Sequence, residues 1–222
     1  MINPVDLFVF DIAGTTVVDQ DQVLRAFIAT ADAFRVPVRA AALRERMGWH
    51  KLRVFEETLE ECGGDRALAP AMAQRFEQEY AATLRQTPVR PTPGALETLR
   101  ELDDRGVRIA FNTGFSRETA DMVLTAAGFA HWPSVASDEV DAGRPAPSMI
   151  RRAMELCSVR DPRRVGVAGD TPADLAAAAA AGAGFIVGVG CGTHTLAELA
   201  PHRHTHLLND LRELPQALFG RG

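Results

Sequence analysis

Lysine is almost absent from this 222-residue chain: it occurs once, at position 51, and the other 23 of the 24 basic residues are arginines. Cysteine is also scarce. Cys62, Cys157 and Cys191 are odd in number, widely spaced and form no CxxC pair. That pattern argues against a disulfide framework and reads as reduced thiols in a cytoplasmic protein. There is no basic block, and the net charge is −5. Neither nucleic acid nor an anionic membrane is therefore expected as a partner. No basic segment leads into a long apolar run at the start, so no signal peptide is expected. The most apolar stretch, 175–189, breaks at Gly182 and Gly184, which argues against a membrane span. Internal repeats and low-complexity tails are missing as well.

What is present is ordinary for a soluble protein, with 46% hydrophobic and 24% charged residues. The length fits one large domain, or a core with a modest insertion, and buries roughly 70–75% of its unfolded surface. Leu7-Phe8-Val9-Phe10 is a short continuous apolar run, expected to be a buried strand ending at Asp11. Similar runs recur at 107–111, 165–168 and 185–189, with a last strand expected at 205–208. Helical patterns separate them at about 94–105, 116–128, 146–157 and 172–181. Alternation of this kind predicts a parallel α/β sheet with helices on both faces. Between the first two runs lies an excursion with no strand signal. Val23, Phe27, Ile28, Ala31 and Phe34 recur at helical spacing, as do Leu52, Phe55, Leu59 and Cys62. A third helix is expected from about Ala67 to Leu84. The reading is a Rossmann-like parallel-sheet core, residues 1–15 and 92–222, carrying an inserted α-helical cap, residues 16–91. Hinges are expected at 14–16 and in the proline-rich segment 88–94.

Parallel sheets bind ligands beyond the carboxyl ends of their strands, and three expected strand ends carry polar groups. Asp11-Ile12-Ala13-Gly14-Thr15 places a carboxylate there, able to attack phosphorus or simply to start a turn. Gly169-Asp170-Thr171-Pro172-Ala173-Asp174 adds two more, suited to a hard cation. Thr171 and Asp174 also read as a helix-capping pair. Asn112-Thr113-Gly114 offers a hydroxyl and backbone N–H groups for a phosphoryl oxygen, though Thr113 serves equally as a turn residue before a Ser116 cap. Gly143-Arg144-Pro145 offers a fixed cation that neutralises phosphate, holds a carboxylate, or lies exposed in a loop.

In this order the four motifs resemble the haloacid dehalogenase superfamily of phosphohydrolases, over nearly the whole chain. The resemblance implies that Asp11 is the nucleophile and that Thr113, with Gly114, and Arg144 bind phosphate. It also implies Mg²⁺ held by Asp11, the Ala13 carbonyl and Asp170, with Asp174 in support. Phosphatases of this superfamily usually carry a second aspartate two residues after the nucleophile, to protonate the leaving alkoxide. Here that position is Ala13, so another device must stabilise the leaving group. Lys51 suggests one, because a neutral amine condenses with an aldehyde to an iminium that acts as an electron sink. Asp11-x-Ala13-Gly14-Thr15, Met47-Gly48-x-x-Lys51 and Gly143-Arg144-Pro145 together resemble the phosphonoacetaldehyde hydrolase-like subgroup. That resemblance implies cleavage of a phosphorus–carbon bond in a small phosphonate through an aspartyl phosphate and a lysine Schiff base. It implies a homodimer too, and places Met47 and Gly48 at the substrate. Two positions depart from the subgroup: Phe115 stands where tyrosine is usual, and Val54 where histidine is expected.

Helical-wheel arithmetic at about 100° per residue puts Lys51 about 60° from the centre of the Leu52–Cys62 stripe, with Gly48 on the stripe and His50 opposite. Burial at a cap–core seam would favour the neutral amine. Three rival readings stand beside this one. The first is a phosphatase of small esters with Lys51 as a substrate-binding cation, the second a metal-independent dehalogenase, and the third a non-catalytic phosphate- or phosphonate-binding protein. His202, His204 and His206 alternate and would share one face of an extended segment, as surface residues or as metal ligands.

Overall fold

The structure is a computed structural model and describes residues 4–220. The outermost residues of the expected core, 1–3 and 221–222, lie outside that range. Six strands are present among the described residues: β1 (Leu7–Asp11), β2 (Arg108–Thr113), β3 (Ser134–Ala136), β4 (Val165–Gly169), β5 (Phe185–Val189) and β6 (His206–Leu208). They form one sheet in the order β3-β2-β1-β4-β5-β6, and every neighbouring pair is parallel. The expected Rossmann-like α/β core is therefore found.

Strand β1 shows why a continuous apolar run was needed. Leu7 and Val9 enter one hydrophobic cluster, while Phe8 and Phe10 enter another on the opposite face. A strand covered on both faces has no polar side to alternate with. Its register pairs Asp11 with Asn112 of β2 and Phe10 with Ala168 of β4. The carboxyl ends of these three strands thus stop on one edge.

Four helices lie in the excursion between β1 and the proline-rich segment 88–94: α1 (Gln22–Ala33), α2 (Ala40–Glu45), α3 (Lys51–Glu61) and α4 (Ala69–Gln86). They precede α5 (Ala95–Asp104), α6 (Arg117–Ala127), α7 (Ser148–Leu156), α8 (Pro172–Ala181), α9 (Leu196–Leu199) and α10 (Leu214–Phe219). The two connections expected as hinges run side by side. The Thr92 hydroxyl donates to the Thr15 carbonyl at 2.7 Å, and the Thr92 and Val18 amides donate to the Thr16 and Arg90 carbonyls.

Several elements were not foreseen. Strand β3 has three residues, too few for any periodicity, and α2, α9 and α10 are short. Helix α3 also buries a different stripe from the expected one. Lys51, Val54, Phe55, Thr58 and Leu59 face inward, whereas Leu52 is half-buried and Cys62 exposed. The helix begins at Lys51, so Gly48 and His50 belong to the preceding turn and the wheel does not apply to them. All three cysteines are free. The alternating histidines do not converge: the Nδ1 of His204 meets the His202 carbonyl, and His206 stacks on Phe185. No helix among the described residues is long and apolar enough to cross a membrane.

Candidate active site

The sheet edge delivers Asp11, Thr113 and Asp170 directly, because each ends or follows a buried strand. Asp11 is 5% exposed, and Arg144 Nη2 donates to its Oδ1 at 2.6 Å. Its other oxygen, Oδ2, accepts no hydrogen bond from the described residues, and Asp11 lines a cavity at this edge. Arg144 is not a loop arginine in solvent: it is 1% exposed and also pairs through Nη1 with Asp174 Oδ1. Of the two roles open to a fixed cation there, its contacts match the holding of a carboxylate. Two charges taken out of water are tolerated only where such geometry compensates them.

Thr171 and Asp174 form the capping pair at the start of α8. The Thr171 hydroxyl donates to Asp174 Oδ2 at 2.6 Å, and the Thr171 amide donates to the same oxygen at 3.1 Å. With Arg144 on Oδ1, both oxygens of Asp174 are engaged. Asp170 is fully buried. Its Oδ1 accepts from the Thr15 hydroxyl and its Oδ2 from the Thr193 amide at 2.6 Å. Burial, with the Asp11 charge beside it, pushes Asp170 up to about 7. Thr113 turns the chain, its hydroxyl accepting from the Phe115 amide at 3.2 Å, and Ser116 caps α6.

Lys51 sits at the first position of α3 and is 6% exposed. Its Nζ stands 5.4, 5.3 and 5.1 Å from the ring centres of Phe27, Phe76 and Phe115. The only hydrogen bond it makes among the described residues is a long one to the Trp49 carbonyl, 3.5 Å. No carboxylate pairs with it there. Burial under the three rings therefore pushes the amine down from 10.5 to about 8. The Glu77 charge pulls it back up, Arg144 pushes it down, and Asp11 and Asp19 raise it slightly.

The turn before α3 packs backbone to backbone against the sheet edge. Gly48 has φ of +82°, and a Cβ there would sit 2.8 Å from the Thr171 hydroxyl. A Cβ on Gly114 would sit 2.8 Å from the Trp49 carbonyl. The seam closes over a cavity of about 20 Å³, lined by Asp11, Ala13, Asp19, Met47, Gly48, Lys51, Thr113, Gly114 and Arg144 among others. That is room for about one water. A larger cleft of about 490 Å³ opens outside it, between α3 and residues 140–143, but contains neither Asp11 nor Lys51. All the expected site residues except Asp170 and Asp174 line the small cavity, and those two lie just behind Asp11.

Residues 5–182 match the family described as haloacid dehalogenase-like hydrolase. The chain belongs to this family. Two curated relatives are named phosphonoacetaldehyde hydrolase. The one from Hahella chejuensis is 28% identical over 178 residues, 69% of this chain and 58% of its own length. The one from Bacteroides fragilis is 32% identical over 154 residues, 66% of this chain and 58% of its own. The chain thus spans under two thirds of these relatives. Among solved structures, a phosphonoacetaldehyde hydrolase-like protein from Oleispira antarctica is 19% identical with a TM-score of 0.87, covering 97% of this chain and 91% of that one. At that identity the likeness shows the fold.

Haloacid dehalogenase-like hydrolases generally use Mg²⁺, and the donors of this hydrolase fit such an ion. Oxygens of Asp11, Asp170 and Asp174, all buried, lie within 4.8 Å of one another. Arg144 pairs with Asp11 and Asp174, and no cationic side chain among the described residues pairs with Asp170, a place that a hard divalent cation fits. Reasoning from sequence missed Phe27 and Phe76 of the lysine cage, Glu77, Thr193 and Asp19. Nothing local marks them: a phenylalanine on a helical stripe reads as core.

Proposed function

We propose that this hydrolase cleaves the phosphorus–carbon bond of phosphonoacetaldehyde or a close analogue, with residues 16–91 acting as a mobile cap. One observation carries the reading: a buried lysine without a carboxylate partner, its amine near neutrality, opens on the same cavity as Asp11, and Ala13 stands where an acid would otherwise be. The two relatives named phosphonoacetaldehyde hydrolase agree with it.

The phosphonate is held by Thr113, the Gly114 backbone and the charge of Arg144. Asp11, the Ala13 carbonyl and Asp170 would hold Mg²⁺, with Asp174 steadying Arg144 behind them; when bound, the ion would supply positive charge to the phosphoryl oxygens. Lys51, as the free amine, condenses with the aldehyde, and water leaves. The free Oδ2 of Asp11 then attacks phosphorus. The phosphorus–carbon bond breaks, and its electron pair moves into the iminium to give an enamine. Protonation of the enamine carbon and hydrolysis of the imine release acetaldehyde, and water cleaves the aspartyl phosphate. A cavity with room for one water admits substrate only when the helical segment lifts, and closure then excludes water. Met47 and Gly48 form its rim.

The experiment is borohydride reduction in the presence of phosphonoacetaldehyde, followed by mass mapping. An adduct on Lys51, and its loss with all activity in Lys51→Arg, is the expected result. No adduct, with activity partly kept in Lys51→Arg, would replace this reading with the phosphatase one, in which Lys51 only binds substrate. That second reading has its own support in a Thermus thermophilus relative named phosphoserine phosphatase, 33% identical over 133 residues.

A further inference from the structure

Imine formation needs a proton carrier, and the residue expected to provide it is missing. Val54 is fully buried within the helical packing and carries no proton. Four titratable side chains line the cavity: Asp11, Asp19, Lys51 and Arg144. The reading above, on which this inference rests, uses all of them but Asp19. Glu77, the strongest charge partner of Lys51, does not line the cavity, and its Oε2 is taken by the hydroxyls of Ser116 and Thr119. Asp170 and Asp174 have both oxygens engaged.

Asp19 is placed differently. Its Oδ1 accepts from the amides of Gln22 at 2.7 Å and Val23 at 3.3 Å, which pins the carboxyl at the start of α1. Its Oδ2 takes no hydrogen bond among the described residues. One oxygen is an anchor and the other is free, on a half-buried side chain that lines the cavity holding the amine.

We propose that Asp19 is the catalytic proton carrier for Lys51. The amine attacks the aldehyde carbon, the N–C bond forms, and the carbonyl oxygen takes the Asp19 proton. The resulting ammonium returns a proton to the Asp19 carboxylate, leaving a neutral carbinolamine and a protonated Asp19. That proton goes to the hydroxyl, which departs as water while the C=N⁺ bond forms, and imine hydrolysis later restores it. Burial raises the Asp19 carboxyl above its usual 3.8, against the two amides that lower it, which brings it closer to the working range of a general acid. The charged groups facing it are Asp21 on its own segment, Lys51 on α3, and Asp11 and Arg144 across the cavity.

The test is the rate of borohydride trapping of phosphonoacetaldehyde on Lys51 in the full chain. Asp19→Asn keeps an oxygen for the two amides, so the melting temperature is expected to hold while trapping slows about 100-fold. If D19N does not fold, Asp19→Ser, which also caps helices, takes its place with the same expected loss. Trapping in the parent with less than a tenfold loss in the folded variant overturns the role of Asp19 alone. No trapping in the parent overturns the lysine chemistry, and this role with it.

Discussion

Lys51 Nζ stands 5.1 Å from the centre of the Phe115 ring, so the amine of one helix is covered by the loop that follows Thr113. Phe115 replaces the tyrosine expected from the resemblance, and what it offers the amine is a ring face without a hydroxyl partner. The Lys51 amine therefore sits where its charge is costly, and several expectations follow from that position.

Lys51→Met should stabilise the protein while abolishing Schiff-base trapping. The folded-state value of about 8 lies below the unfolded 10.5. The cost is thus fully present below pH 8 and fades as pH rises to 10.5. By linkage it amounts to about 3 kcal/mol at most. Urea denaturation should find K51M more stable than the parent at about pH 7, and the gap closed near pH 10.5. A less stable K51M at neutral pH contradicts the burial argument.

Activity should rise with pH along a limb near 8, as Lys51 loses its proton. Glu77→Gln removes the charge that holds the amine up, while its amide oxygen still accepts from Ser116 and Thr119. The limb should then move to lower pH. A shift to higher pH, or none, in the kcat/KM profile would show that another group governs it.

Mg²⁺ should raise the melting temperature of the parent chain, since a ligand at 100 times its Kd adds about 2.7 kcal/mol. Asp170→Asn removes one of the two buried carboxylates that would hold the ion, so the Mg²⁺-dependent rise should vanish, with activity lost as well. A D170N protein that Mg²⁺ still stabilises would place the ion elsewhere.

Ala13→Asp restores a carboxyl two residues after Asp11, within the same cavity. Hydrolysis of an unactivated alkyl phosphate should rise by roughly tenfold or more, in line with general acid catalysis. Steady-state rates on glycerol phosphate measure it; an unchanged rate in a folded variant would show that the missing acid is not what limits ester hydrolysis.

The amino-acid order alone determined five of the six strands and the edge at which three of them end. Asp11, Thr113 and Asp170 each adjoin their own strand, and strand chemistry is local: an apolar run covered on both faces ends where the polar residue begins. The capping pair Thr171–Asp174 was legible for the same reason, as a relationship within one helical turn. Only the tertiary structure decided which face of α3 turns inward, because one wheel fits two neighbouring stripes until a partner helix covers one of them. It also decided that Arg144 is buried between Asp11 and Asp174. Phe27 of α1, Phe76 of α4 and Phe115 after β2 are far apart in the chain, yet they enclose one amine. Contacts of that kind are set by how the helices pack on one another and on the sheet, not by any period along the chain.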